Sequence, residues 1–288
     1  MILVLTGATG TGKSKIAASL AQKINGVVIN ADAFQVYREL HIATAMPDEA
    51  LRLSAPHYLF DFIPLDSSYS VYEYQEDLRA LLAELAIQGK NAIIAGGTGL
   101  YIRAGLYDYE FPEEAAVDLS PYANLDNQAL HDVLFQMDPE AAKAIHPNNR
   151  LRVLRTIAMI LGTGKTKSEI LASQKHLPLY DAKFFVLQSD RAPLYERVNA
   201  RVDKMFEDGL VEENRRLVEK YGRTPRAFRA IGVKELFPYF DGFKTLEECK
   251  EDIKKNTRNY VKRQETFFRH QFSLIPVEGE EDILANIS

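Results

Sequence analysis

A single cysteine, Cys249, is the chain's whole sulfhydryl content, which excludes a disulfide framework and any cysteine-based zinc site. The six histidines, His41, His57, His131, His146, His176 and His270, show no two-ligand helical spacing, so no transition-metal site is expected. No apolar run approaches the roughly 20 residues that a membrane span needs. Ile2–Leu5 runs straight into a glycine-rich turn, without the pattern of a secretory leader, and the expectation is a cytoplasmic protein with no membrane partner. Internal repeats and low-complexity tracts are also missing. The sequence is silent on oligomeric state, for which a monomer is the default.

What remains is globular. With 46% hydrophobic residues in 288, there is enough apolar material for one large core, or a core carrying a smaller insertion. A net charge of −5 argues weakly against a nucleic-acid partner, but the average conceals an asymmetry. Between Ala141 and Ser168 there is no carboxylate, while Lys143, Arg150, Arg152, Arg155, Lys165 and Lys167 are basic. Two further basic stretches run from Arg215 to Lys234 and from Lys254 to Arg269. Local basic surfaces on an acidic chain suggest a directed polyanion site.

Short apolar runs at Ile2–Leu5, Val27–Ile29, Ala92–Ala95 and Phe184–Leu187 read as buried parallel strands, each followed by a helical pattern, which implies an α/β fold. In open parallel sheets, ligands bind beyond the carboxyl ends of the strands. The four trailing segments, Gly7–Ser14, Asn30–Gln35, Gly96–Leu100 and Ser189–Arg201, are therefore expected to converge. From about Glu113 to Gln174 the strand signal disappears, and helices are read over Asn127–Gln136, Pro139–Ile145 and Arg150–Leu161. The expected organisation is a P-loop NTPase-like parallel-sheet core over 1–112 and 175–288, a helical insertion over 113–174, and a helix-rich C-terminal part. Helices are expected there near Arg191–Phe206, Leu210–Tyr221, Arg229–Phe240 and Leu246–Phe272.

Gly7-Ala8-Thr9-Gly10-Thr11-Gly12-Lys13-Ser14 has glycine, four residues, then glycine-lysine-serine, between a strand and an amphipathic helix. Glycines let backbone N–H groups approach phosphate oxygens, and the helix amino terminus adds positive potential. Lys13 supplies a point charge for the terminal phosphates and Ser14 a ligand for Mg²⁺. Gly162-Thr163-Gly164-Lys165-Thr166 looks like a second copy, but Met159 stands where the first glycine belongs and no strand precedes it, so it reads as a helix end and basic loop.

An ordinary P-loop NTPase ends another strand in an acidic residue that organises Mg²⁺ and hydrolysis. Ala92–Ala95 ends instead in Gly96-Gly97-Thr98-Gly99, which counts against a motor or switch ATPase. That segment is either a tight turn with a helix cap or a close backbone approach to a ligand, with the Thr98 hydroxyl at hand. Asp32 is either a turn former or, beside the P-loop, a metal ligand or general base. Arg197 and Arg201, four apart on one helix face, either line a solvated surface or stabilise a departing diphosphate. On the last helix, Lys255, Arg258, Lys262 and Arg269 share a face that suits either water or a nucleic-acid backbone.

The P-loop is followed by Asp32-Ala33-Phe34-Gln35-Val36-Tyr37-Arg38, His41-Ile42-Ala43-Thr44-Ala45-Met46-Pro47 and Pro56-His57-Tyr58. Further blocks are Gly96–Tyr101, His146-Pro147-Asn148, Arg229-Ala230-Ile231-Gly232 and Thr257–Gln264. In this order, over nearly the whole chain, they resemble the tRNA dimethylallyltransferase family. The resemblance implies a P-loop core and helical insertion that engage the anticodon stem-loop of tRNA. The implied reaction moves dimethylallyl from dimethylallyl diphosphate to N6 of the adenosine just 3′ of the anticodon. Gly7, Ala8, Thr9, Gly10, Thr11, Gly12, Lys13, Ser14 and Arg197 would bind the diphosphate. Asp32 would accept the proton of the attacking amine, Thr98 would hydrogen-bond the bridging oxygen, and Lys13, Arg201 and Mg²⁺ at Ser14 would take up leaving-group charge. The turn Asp32, Ala33, Phe34, Gln35 and the run Leu151, Arg152, Val153, Leu154, Arg155 would contact the tRNA, with Gln35 on the target base.

The family usually has serine at Ala33, glycine at Ala43, lysine at Met46 and tryptophan near Phe267 or Phe268, and the resemblance is to its bacterial type, for which the zinc-finger extension of many eukaryotic members is not expected. The competing readings are prenylation of free adenine nucleotides, a P-loop small-molecule kinase with Arg152 and Arg155 as lid arginines, and a nucleic-acid binder that has lost catalysis.

Overall fold

The computed structural model describes residues 1–287, and these divide into two compact units, Met1–Leu106 with 180–287, and Tyr107–Leu179. In the first unit, strands β1 (Ile2–Thr6), β2 (Gly26–Asn30), β3 (His57–Tyr58), β4 (Asn91–Ala95), β5 (Ala182–Leu187) and β6 (Ile275–Val277) form one all-parallel sheet in the order β3-β2-β4-β1-β5-β6. The interior strands are near-continuous apolar runs because helices cover both faces. Leu3 and Leu5, Val28, Ile93, Phe185 and Leu187 alternate onto one face, where α1 (Lys13–Lys23) lays down Ala17, Leu20 and Ala21.

Along the chain follow α2 (Glu49–Ser54), α3 (Val71–Ile87), α4 (Gly99–Leu106), α5 (Asn127–Met137), α6 (Pro139–Lys143), α7 (Arg150–Thr163), α8 (Lys167–Ser173), α9 (Arg191–Glu207), α10 (Leu210–Tyr221), α11 (Phe237–Phe240), α12 (Leu246–Gln271) and α13 (Glu280–Ile287). Helix α3 starts at a capping box, Ser70 and Glu73 satisfying each other's backbone N–H groups, and packs against α4 and β4. Helix α12 starts at another, Thr245 with Glu248, and packs along α9. No helix of the described residues is long and apolar enough to cross a membrane.

Three expectations need correction. The strands β3 and β6 were not anticipated, because two or three residues carry no periodicity; β6 sits at the sheet edge, where Pro276 costs no ladder bond. The helix expected over Arg229–Phe240 is broken into 3₁₀ turns at Arg226–Arg229 and Lys234–Leu236 and the single turn α11, because Gly232 takes a φ of 98°. Helix α8 lies beyond the helices expected in the insertion, although Thr166 and Glu169 form the capping box that announces it.

The second unit is a small helical body. Leu130 and Leu134 of α5, Ala142 and Ile145 around α6, and Val153 and Ile157 of α7 make its core. Its bounds are wider than 113–174 because the entering and leaving segments are tied together: Asp108 N–H donates to Leu177 O at 3.0 Å, and Leu177 N–H to the Asp108 side chain at 2.7 Å. The second glycine-lysine motif is a helix end, as expected: α7 stops where Gly164 adopts a φ of 68° and returns its N–H to Ile160 O.

A core this small depends on each large side chain. Leu130→Ala, at a fully buried position, is expected to destabilise the insertion by about 2–5 kcal/mol. Calorimetry should then show a separate low-temperature transition; a single unshifted transition would contradict it.

Candidate active site

The sheet brings the four strand-end segments to one edge, as expected from the parallel topology. Two cavities lie there, of about 210 and 230 Å³. The first is lined by Thr9, Gly10, Gly12, Lys13 and Ser14 of the P-loop, with Gln35, Gly96 and Gly97 opposite. The second is lined by Phe34, Ala43, Thr44, Tyr260 and the cations Arg229, Lys234 and Arg263. Thr9, Asp32 and Arg201 line both.

The P-loop turns through Gly10 and Gly12 at φ values of 90° and 87°, a region that costs other residues roughly 1 kcal/mol or more. Lys13 folds back so that its ammonium donates to Gly7 O at 2.8 Å and Ala8 O at 2.7 Å. Gly7 and Ala8 thus anchor Lys13 and line neither of the two cavities, and Ala8 is buried against Leu194, Val198 and Val261. Together with Thr11 they line a different groove, between the P-loop and the end of β5. Burial pulls Lys13 down to about 7; the Arg201 guanidinium pushes the same way, and Asp32 opposes.

Asp32 sits on a turn that Asn30 builds. The buried Asn30 side chain accepts from Asp32 N–H at 2.8 Å and donates to Asp32 O and Leu59 O at 2.9 Å, while the Tyr74 hydroxyl donates to Asn30 O at 2.8 Å. Asp32 Oδ1 accepts from Phe34 N–H at 2.9 Å. Burial raises the Asp32 carboxyl above its usual range, against that hydrogen bond and the charges of Arg201 and Lys13. Burial likewise lowers Arg201, with Asp32 restoring part of the loss.

The glycines after β4 are there for close approach. A Cβ on Gly96 would overlap the Ala31 carbonyl, and one on Gly97 would overlap the Gln264 amide. Thr98 Oγ1 accepts from Ala33 N–H at 3.0 Å, and its own proton is directed at the Tyr260 hydroxyl. Ala33 therefore contributes a backbone group here and Phe34 a wall of the second cavity.

Gln264, the end of the block Thr257–Gln264, is absent from the expected site residues. It is buried, accepts from Thr9 N–H at 3.3 Å and donates to Gly97 O at 3.1 Å, so α12 ties the P-loop to the β4 turn. Tyr260, one helical turn earlier, reaches the same Gly97 carbonyl at 3.4 Å. Its hydroxyl is raised by burial and then by the Asp32 charge, against hydrogen bonds from Thr98 and Gln264. The available signal was a glutamine at a buried helix position, where polar side chains are rare without a partner.

Other candidates fall elsewhere. Arg197 does not line either cavity; it is exposed and donates to Ser189 Oγ. In the insertion, Leu151, Arg152 and Arg155 are exposed, but Val153 is fully buried and Leu154 packs against the same core. Arg155 is ion-paired with Glu114. No group of three or more His, Cys, Asp or Glu residues able to hold a metal occurs among the described residues. Ser14 in the P-loop cavity fits Mg²⁺ only in the way that ion prefers, with one or two protein oxygens and the rest from phosphate and water.

The sequence model of the IPP transferase family matches residues 35–271. The tRNA dimethylallyltransferase of Bacillus licheniformis is 41% identical over 279 residues, covering 95% of this chain and 89% of that protein. Among solved structures, a tRNA isopentenylpyrophosphate transferase from Staphylococcus epidermidis superposes with a TM-score of 0.74 at 35% identity, covering 99% of this chain and 96% of that one. A eukaryotic dimethylallyltransferase acting on tRNA gives a TM-score of 0.80 at 29% identity, over 96% of this chain and 73% of that one.

An anion in the P-loop cavity needs the Lys13 proton that the free protein increasingly lacks above pH 7. Binding of inorganic diphosphate should therefore take up a proton above pH 7, with intrinsic affinity falling by up to roughly tenfold per pH unit. Calorimetry in two buffers of different ionisation enthalpy checks this. Lys13→Met should remove the uptake, and equal uptake in both proteins would assign it to another group.

Proposed function

Because the chain belongs to the IPP transferase family, we propose that it transfers a dimethylallyl group from dimethylallyl diphosphate to N6 of the adenosine 3′-adjacent to the anticodon of tRNA, in the cytoplasm. The observation that carries this reading is the sharing of Asp32, Thr9 and Arg201 between a phosphate cradle and a second, cation-rimmed cavity. A substitution at carbon needs its nucleophile and leaving group on opposite sides of the reacting atom. One carboxylate between two compartments suits that demand.

The diphosphate lies on the P-loop N–H groups, with Lys13 and Arg201 as counter-charges. The adenine leaves its stack, as a base must to reach such a site, and enters against the turn Asp32–Gln35. The N6 lone pair forms the new bond to C1 of the dimethylallyl group while the C1–O bond breaks, its electrons going to the bridging oxygen. Asp32 takes the N6 proton; its raised affinity for a proton suits a base that must hold one. Thr98, whose oxygen is already held by Ala33 N–H, turns its hydroxyl proton from Tyr260 to the bridging oxygen. Bound at Ser14, Mg²⁺ would supply further charge neutralisation to the diphosphate. Outside the core, Leu151, Arg152 and Arg155 offer the exposed surface of α7 to the anticodon arm, and the buried Val153 holds that helix in place.

Incubation with unmodified tRNA, dimethylallyl diphosphate and Mg²⁺ should yield prenylated adenosine beside the anticodon, read by mass spectrometry of the digested tRNA. Product on AMP, ADP or ATP in a parallel tube, and none on tRNA, would replace this reading by nucleotide prenylation. Asp32→Ala is expected to lower turnover by roughly 10²–10⁴-fold with tRNA binding kept within a few-fold. Turnover at the parent rate would remove the general-base role. Arg155→Ala should weaken tRNA binding and make its dependence on salt about one unit shallower in log–log slope. An unchanged slope would take Arg155 out of the tRNA surface.

A further inference from the structure

Helix α10 carries a carboxylate that the proposed chemistry does not use. Glu213 is only 8% exposed, and among the described residues its hydrogen-bond partners are backbone groups, with no ion pair to lysine or arginine. Instead three successive backbone N–H groups converge on its two oxygens: His41 at 3.0 Å, Ile42 at 2.9 and 3.1 Å, and Ala43 at 3.0 Å. Such a run of N–H groups is an anion-binding concavity, and here the chain supplies its own anion.

The segment so held is a wall of both cavities. Ala43 and Thr44 line the second and Ala45 the first. Its backbone needs holding, since Ala45 adopts a φ of 47°, uncommon for alanine. The carbonyls of Thr44 and Ala45 in turn accept from Gln35 Nε2 at 3.0 and 3.2 Å. Two carbonyl acceptors dictate which end of that amide is nitrogen, so Oε1 is the atom Gln35 offers the cavity. An oxygen there accepts from an exocyclic amine and repels a carbonyl oxygen.

We propose that Glu213 is a positioning residue for the acceptor base: by clamping His41–Ala43 it fixes the carbonyls that orient Gln35. This rests on the prenyl-transfer reading. Gln35 and Ala45 share the first cavity with the P-loop, but an amide oxygen offers a diphosphate no donor, so the effect falls on the acceptor. A glutamine at 213 would turn an NH₂ toward N–H donors and release the segment, while an aspartate would keep the charge one methylene short.

The test is steady-state kinetics with separately varied tRNA and dimethylallyl diphosphate, plus calorimetric binding of inorganic diphosphate. Glu213→Gln should lower kcat/KM for tRNA at least tenfold and leave diphosphate affinity within twofold. Glu213→Asp should recover part of the loss and keeps the test open if the glutamine variant does not fold. Gln35→Ala added to either variant should cost little more, because both act through one amide. Parent-like kcat/KM for tRNA, a matching loss of diphosphate affinity, or multiplicative effects of the two substitutions would each overturn the role of Glu213. A parent enzyme that prenylates no tRNA would overturn the underlying reading as well, which separates the two failures.

Discussion

Two cations and one carboxylate, Lys13, Arg201 and Asp32, are largely withdrawn from water at one point, and that cluster is short of negative charge. Each pays in proton affinity for the loss of solvent: Lys13 and Arg201 are lowered and Asp32 is raised. An anion of several charges relieves the two cations at once, while leaving Asp32 able to receive a proton. The rest of the core can be understood as what keeps these three groups together. The sheet sets β1 and β2 on either side of β4, so that the P-loop and the Asp32 turn emerge at one edge, and α9 brings Arg201 across from the other flank.

Holding the cluster takes polar side chains that are themselves buried. Asn30 builds the Asp32 turn, Gln264 ties Thr9 to Gly97, and Glu213 ties α10 to the turn before Met46. All three work on backbone groups rather than on charges. This has an energetic logic, because a buried donor or acceptor left unpaired costs about 1–3 kcal/mol, so each tie is enforced by the penalty for breaking it. It also explains why small residues crowd the site. Gly96 and Gly97 have no room for a side chain, since the Ala31 carbonyl and the Gln264 amide occupy the space.

Much of this was legible from residue order. The P-loop, its strand and its helix are local in sequence, and the pattern of glycine, lysine and serine has few other physical uses. The helices α9, α10 and α12 were placed because their apolar faces repeat over many residues. The short strands β3 and β6 were not, because strands of two or three residues exist only through their neighbours. The break at Gly232 was hidden for the opposite reason: the flanking apolar pattern continues through it, and only the tertiary fold calls for its positive φ. Arg197 and Arg201 look equivalent at a spacing of four, yet a helix that packs against α12 turns one toward the cavity and leaves the other on the surface.

The sequence alone determined the elements and the reactive groups: a phosphate-binding turn, a carboxylate after the second strand, a hydroxyl after the fourth, and basic runs on an acidic chain. These are statements about neighbours in the chain, where backbone geometry and side-chain chemistry act over a few residues. Only the tertiary structure decided which groups share a desolvated space. Asp32 and Arg201 are far apart in sequence, and nothing local says that both border the same two cavities. The ties made by Gln264 and Glu213 belong to the same class, because a hydrogen bond between distant segments is set by packing, which no local pattern encodes.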